Sequence, residues 1–394
     1  MKNLIKYIIP VSIIFFNVLI ILFPSKIIIS AKDGLLLWFN NVIPSLLPFI
    51  IGANILSMTG FINLIGITFE PLMQKLFGIS GRCSFALIMG FISGYPMGAK
   101  ITASLYENNK ISLSDAQKLV MFTNNSGPLF ILGTVAVSML NSPSIGVLII
   151  TAHYLSAITI GLSLRNYKKQ IFIKKTKTLT LNDTISKIKE NSKNPLPIGT
   201  ILSKSIKDSM ETIVMIGGFI ILFSVISKML EITNFPALIA YVLNPVLNIF
   251  DISTDFIFPI TTGILEITNG CKNLSNFTLD INIVAIITGI ISWGGFSIHA
   301  QAIGFLSKTK IKLSLYFLSK LVQSILSIIY VYILNLFFKI DFTKIDNTAK
   351  VFNQDSTSVL EKFANSSFNF LLVVLTTIFF AISMYIVISI KNKK

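Results

Sequence analysis

Apolar residues run along this chain in long blocks, and its polar positions gather in short clusters between or inside those blocks rather than alternating one for one. A helix that crosses a bilayer needs about 20 mostly apolar residues. Stretches free of Asp, Glu, Lys and Arg cover residues 35–69, 83–99, 119–164, 212–227, 281–307, 321–338 and 363–390, and several are long enough for two passes. A transmembrane barrel would show alternating segments of about ten residues, so the pattern predicts an all-α polytopic membrane protein. At the N-terminus Lys2 and Lys6 precede the apolar residues 7–23. That run is longer than the usual apolar core of a signal peptide, and Ser30-Ala31-Lys32 is a poor cleavage site, which predicts a retained first helix.

Composition agrees. Hydrophobic residues make up 53% of the chain and charged ones 13%, with a mean hydropathy of +0.77, whereas soluble domains carry about 25% charged residues. A soluble enzyme, a disordered or collagen-like chain and a coiled coil are excluded. Thirty-three Lys and Arg against seventeen Asp and Glu give a net charge of +16. On a soluble domain that surplus would suggest nucleic acid; in a many-span protein it collects in cytoplasmic loops, so the expected partner is the lipid bilayer and not nucleic acid. The eleven basic residues from Arg165 to Lys207 stand against only Asp183 and Glu190 and place that loop inside, as Lys308, Lys310 and Lys312 and the tail Lys391, Lys393 and Lys394 place theirs. In residues 339–362 four Lys are balanced by Asp341, Asp346, Asp355 and Glu361, so that loop is expected outside. Cys83 and Cys271 give no basis for a disulfide framework or a zinc site, and no metal or resident cofactor is expected.

The chain repeats itself. Pro71-Leu-Met-Gln-Lys-Leu-Phe-Gly-Ile-Ser80 lies beside Pro245-Val-Leu-Asn-Ile-Phe-Asp-Ile-Ser253, Gly90 falls on Gly263, and Asn124-Asn-Ser-Gly-Pro128 faces Ser292-Trp-Gly-Gly295. The reading is a first helix and loop (1–37), a first repeat (38–164), a basic cytoplasmic connector (165–211), a second repeat (212–338), and an external loop with a final helix (339–394). The connector, with Asn194-Pro-Leu-Pro197, is expected to be solvated and to touch anionic headgroups. The last span of the first repeat ends at the inside residue Arg165, and that of the second begins at the inside residue Lys312, so the repeats are expected to be inverted. Inverted repeats are a transporter architecture, with solute held near the midplane between broken helices.

Within lipid every backbone donor and acceptor needs a partner, so Gly, Pro and Asn clusters inside an apolar run mark kinks or unwound stretches lining a cavity. Four stand out. Ser93-Gly94-Tyr95-Pro96-Met97-Gly98-Ala99-Lys100 reads as a hairpin tip near the midplane or as a small-residue packing surface, and Lys100 equally as an interfacial lysine. Thr123-Asn124-Asn125-Ser126-Gly127-Pro128 sets two adjacent amides in an uncharged run. Ser292-Trp293-Gly294-Gly295-Phe296-Ser297-Ile298-His299-Ala300-Gln301 surrounds a glycine pair with hydroxyl, indole, imidazole and amide groups. Glu266-Ile267-Thr268-Asn269-Gly270 holds a carboxylate within a membrane segment, which either carries a proton or pairs with Lys100 or Lys272. Candidate solute ligands are therefore Ser93, Tyr95, Lys100, Asn124, Asn125, Ser126, Thr268, Asn269, Trp293, Ser297 and Gln301, with Glu266 and His299 for proton or ion coupling. Backbone breaks are expected at Gly94, Pro96, Gly98, Gly127, Pro128, Gly294 and Gly295. His153 reads as a hydrogen-bonded packing residue, and Ser114, with Gln117 at the capping-box position, as a helix cap.

The runs Asn40-Asn-Val-Ile-Pro-Ser-Leu-Leu-Pro-Phe49, Gly90 to Lys100, Phe122 to Phe130 and Gly289 to Gln301 resemble the YlbJ-type sporulation integral membrane proteins of endospore-forming Gram-positive bacteria. Their halves carry a Gate, or nucleoside-recognition-like, module. The resemblance covers residues 40–338 and implies a fold similar to that of spore maturation proteins and concentrative nucleoside transporters: inverted repeats, broken helices and re-entrant hairpins. It further implies expression in sporulation and passage of dipicolinic acid across the mother-cell-derived outer forespore membrane. The residues themselves leave several readings open: a transporter or facilitator of a small organic anion, a nucleoside-like solute transporter, a non-transporting component of spore envelope assembly, and a membrane enzyme. The enzyme reading lacks paired intramembrane carboxylates, a metalloprotease motif or a nucleophile with its base. The driving force is open among a proton, sodium and a solute gradient, and a homo-oligomer is compatible with the sequence.

Overall fold

The computed structural model describes residues 2–58, 61–167, 197–239, 241 and 254–338, and these are all-helical, consistent with an integral membrane protein. The matched run Pro245 to Ser253, most of the basic connector, the loop 339–362 and the final apolar run 363–390 lie outside the described residues. Four helical stretches, Pro143–Asn166, Ile198–Ile232, Ile281–Leu306 and Leu313–Phe337, are long and apolar enough to cross a membrane, and two bent pairs raise the number to six among the described residues.

Helix α1 (Lys2–Leu22) runs into α2 (Pro24–Leu37) through a bend of 104°. Residues 24–37, read above as part of a loop, are helical because Pro24 occupies the first turn, where its missing N–H costs no hydrogen bond. Helices α3 (Ile43–Met58) and α4 (Phe61–Phe77) follow. After α4 the chain turns by 97° at Gly78, whose φ of +63° suits glycine, and the Glu70 carboxylate accepts the Gly81 N–H at 2.6 Å. Then come α5 (Ser84–Ile92), α6 (Met97–Glu107) and α7 (Leu113–Thr123), an unwound stretch at 124–127, a π-helical segment Leu129–Met139, and α8 (Pro143–Ser163). The cap of α7 is Ser112, whose hydroxyl accepts the Asp115 N–H at 3.0 Å, and not Ser114, which already lies inside the helix.

Helix α9 (Ile198–Ile232) starts well before residue 212. At 1.5 Å per residue its 35 residues span about 50 Å, beyond the roughly 30 Å hydrocarbon core, so its first turns carry Lys204, Lys207, Asp208 and Glu211 without interrupting the helix. It is clasped by the N-terminal helices: Ser30 Oγ donates to Ser224 O at 2.8 Å, Trp38 Nε1 to Ile213 O at 2.9 Å and Asn54 Nδ2 to Ser209 Oγ at 2.9 Å. The chain closes with α10 (Ile257–Leu265), α11 (Ile267–Leu274), α12 (Ile281–Trp293), α13 (Gly295–Leu306) and α14 (Leu313–Phe338). The order short helix, break, short helix, loop, helix, break, helix, long helix thus occurs from residue 84 and again from residue 257.

Candidate functional site

Glycine brings the first two breaks together. A side chain at Gly98 would place its Cβ 2.6 Å from the Thr123 carbonyl carbon and 2.8 Å from Asn124 Cα, so α6 lies directly on the end of α7. At the hairpin tip Gly94, with φ +82°, meets Gly127 so closely that a Cβ would stand 2.5 Å from the Gly127 nitrogen. Unwinding frees carbonyls that need donors in an apolar setting, and tyrosines supply them. Tyr154 Oη on α8 donates to Phe91 O at 2.6 Å and lies 3.1 Å from Ser126 O, while the Tyr95 hydroxyl donates to Ile291 O near the end of α12.

A third side is furnished by α14. Tyr316, Lys320, Gln323 and Ser327 recur at helical spacing on one buried face, while Leu318, Leu321, Val322, Ile325, Ile329 and Ile333 are exposed on the other. This is an apolar helix with its polar stripe turned inward, as a lipid surround requires. Asn124 Nδ2 donates to Tyr316 Oη at 2.8 Å, and Tyr316 Oη lies 3.2 Å from His299 Nδ1. The Lys320 ammonium donates to Asn124 O, to Asn125 Oδ1 at 3.3 Å and to Gln323 Oε1 at 2.7 Å. Gln323 Nε2 donates to Asn125 Oδ1 at 2.9 Å. His153 Nε2 accepts the Ser126 N–H at 3.1 Å, which leaves Nδ1 to donate to Ser292 Oγ at 2.8 Å. His153 is hydrogen-bonded, as expected, but its partners are two of the breaks.

In the second half the α10–α11 hairpin turns at Glu266. A Cβ at Gly270 would stand 2.7 Å from the Gly263 nitrogen, so the two arms also meet through glycine. The Glu266 carboxylate is buried and caps α11, accepting the Asn269 N–H at 2.8 Å. It does not pair with Lys100, whose Nζ donates to Thr212 Oγ1 on α9 at 2.7 Å, nor with Lys272; three orphan N–H groups at a helix start attract a carboxylate more cheaply than two separated charges in lipid. Gly294 and Gly295, with φ of +92° and +70°, break α12 from α13.

A cavity of about 70 Å³, several times what one water needs, opens where these pieces meet. Ser93, Gly94, Tyr95, Ser126, Gly127, Glu266, Thr268 and Gln301 line it, with Leu46, Phe49, Ile216 and Ile220 among its apolar wall. Ser93 Oγ, Ser297 Oγ, Asn124 Oδ1, His299 Nε2 and both polar atoms of the Gln301 amide are buried without a hydrogen-bond partner. Each such group costs about 1–3 kcal/mol, and native proteins tolerate a cluster of them where a solute or water binds. Asn124, Asn125 and His299 belong to the adjoining network. Lys100, Asn269 and Trp293 make packing contacts instead: Asn269 Nδ2 reaches Ser224 Oγ at 3.4 Å and Trp293 Nε1 donates to Ile264 O at 3.2 Å. Pro96 and Pro128 sit at the helix starts after the breaks, adjoining α6 and the π-helical segment.

Sequence reasoning did not single out Tyr316, Lys320 and Gln323. The signal was present as a polar period of three to four residues beginning before residue 321, where the charge-free run starts. Cys83 and Cys271 are buried and free, and no group of three metal-ligating side chains occurs among the described residues.

Comparison with known proteins adds two findings. Residues 39–158 match the Gate family, described as nucleoside recognition. Over 328 residues the chain is 35% identical to the sporulation integral membrane protein YlbJ of Bacillus subtilis (strain 168), covering 82% of this chain and 80% of that protein. No solved structure matches.

Proposed function

The chain belongs to the YlbJ-type family of sporulation integral membrane proteins, and from that premise we propose that it moves a small organic anion, dipicolinate, across the outer forespore membrane as a secondary transporter or facilitator. The observation that carries this reading is the set of buried, unpartnered donors at the broken helices, Ser93 and Gln301 in the cavity wall and Ser297 on α13. Dipicolinate is a planar aromatic dianion. Its carboxylates would take the hydroxyl and amide donors of the cavity wall, and its ring would lie on Tyr95. The recurrence of element order supports two repeats, and the basic residues Arg165 after the last helix of the first and Lys312 before the last helix of the second support opposite orientation. Glu266, in the cavity wall, would carry a proton with the anion. The Gate match and the free hydrogen-bonding edge of Gln301 favour a nucleoside-like solute as the second reading.

The test is the dipicolinate content of spores and mother cells in a strain lacking this gene, complemented with wild type or with Ser93→Ala, Gln301→Ala protein that reaches the membrane. Depleted spores, a swollen mother-cell pool and failure of the double variant are expected. Normal spore content in the deletion strain would refute the substrate. Full rescue by the double variant would move the site elsewhere or favour a non-transporting role in envelope assembly.

A further inference from the structure

Lys320 is fully buried on α14, and its ammonium meets no carboxylate among the described residues. A lone charge in such a place is expensive and is retained for a purpose. Its three partners are all oxygens: the Asn124 carbonyl in the unwound stretch, Asn125 Oδ1 and Gln323 Oε1. Backbone carbonyls fix how both amides face. Asn125 Nδ2 donates to Phe122 O at 2.7 Å, and Gln323 Nε2 donates to Asn125 Oδ1 and reaches His153 O at 3.4 Å, so each amide must turn its oxygen toward Lys320. Three acceptors need three N–H groups, which an ammonium has and a neutral amine lacks.

Oxygen ligands converging on a cation at an unwound helix are also how transporters hold a coupling sodium ion, through freed carbonyls. We propose that the Lys320 ammonium is a tethered cation standing where such an ion would sit, so that this protein neither binds nor needs sodium at its broken helix. The statement about need rests on the transport reading above; the statement about binding does not. The ammonium ties the α7 break to α14. It also sets a positive potential at Asn124 and Asn125, the two residues that precede Ser126 of the cavity wall, which suits an anionic solute.

The test uses the full-length protein in detergent, melted in sodium chloride and in choline chloride of equal ionic strength. Wild-type protein is expected to melt at the same temperature in both. Lys320→Ala removes the ammonium and leaves its space, so it should melt lower in choline and recover progressively as sodium rises, because a ligand that binds only the folded state raises Tm. Lys320→Met removes the charge but fills the space, and should melt lower in both salts without recovery. A sodium-specific rise in wild-type Tm, or identical melting of Lys320→Ala in the two salts, would overturn the proposal; if Lys320→Ala does not fold, the wild-type comparison decides. In proteoliposomes, dipicolinate uptake by wild type should be equal with sodium or choline outside, and dependence on sodium would count against it. Absence of uptake in every salt would sink the transport reading while leaving the melting result to judge the site.

Discussion

Gly98→Ala adds one methyl group where the fold has no room for it. The new Cβ would stand 2.6 Å from the carbonyl carbon of Thr123 and 2.8 Å from Asn124 Cα, and closer still to the Thr123 oxygen, all backbone atoms that cannot swing aside. Carbon atoms pack at about 3.5–4.0 Å, so α6 must retreat by roughly 1 Å. Overpacking of this kind costs about 1–3 kcal/mol. The displacement falls on the contact between the hairpin tip and the unwound stretch, where a shift near 1 Å can lower a rate by about 100-fold. Gly52 and Gly133 provide matched controls, since a Cβ at either meets nothing within 4 Å; alanine there should be neutral or stabilising by up to about 1 kcal/mol. The assay is Tm of the purified protein together with dipicolinate uptake into proteoliposomes at equal protein density. Gly98→Ala should lose both stability and most uptake, while Gly52→Ala and Gly133→Ala keep both. If Gly98→Ala behaves like its controls, the two breaks do not touch as described and the site built on their contact is wrong.

Tyr316→Phe should destabilise the protein by about 2–4 kcal/mol, because both the Asn124 amide and His299 Nδ1 lose their partner in a dry interior; a Tm equal to wild type would show that this network contributes nothing. Glu266→Gln keeps an oxygen able to accept the Asn269 N–H, so the fold should hold while uptake driven by an imposed pH gradient disappears; undiminished proton-driven uptake would assign coupling to another group.

The blocks of apolar sequence disclosed the membrane class and most of the helices, and the Gly, Pro and Asn clusters disclosed where helices break, because lipid penalises an unpaired backbone wherever it occurs. What escaped was relational. His153 looked solitary because its partners Ser126 and Ser292 lie 27 and 139 residues away. Lys320 falls just before the charge-free run that starts at residue 321, and only helical spacing joins it to Tyr316 and Gln323. Ser112 and Ser114 each precede a polar residue by three positions, and only the helix start chooses between them. Glu266 could have paired with a lysine or capped a helix, and local backbone geometry settled on the cap.

The inward polar stripe of α14 has a mechanical meaning. Turning that helix about its axis would carry Lys320 into lipid and detach it from Asn124, Asn125 and, through Gln323, from His153 on α8. Helix α14, the α7 break and α8 are therefore bolted into one body, and a rotation of any one alone is forbidden. On the transport reading proposed above, the hairpin tip would slide past that body along the seam where Gly94 and Gly98 face Gly127 and Thr123 backbone to backbone, and the bond it would give up there is the one from Tyr154 Oη to Phe91 O.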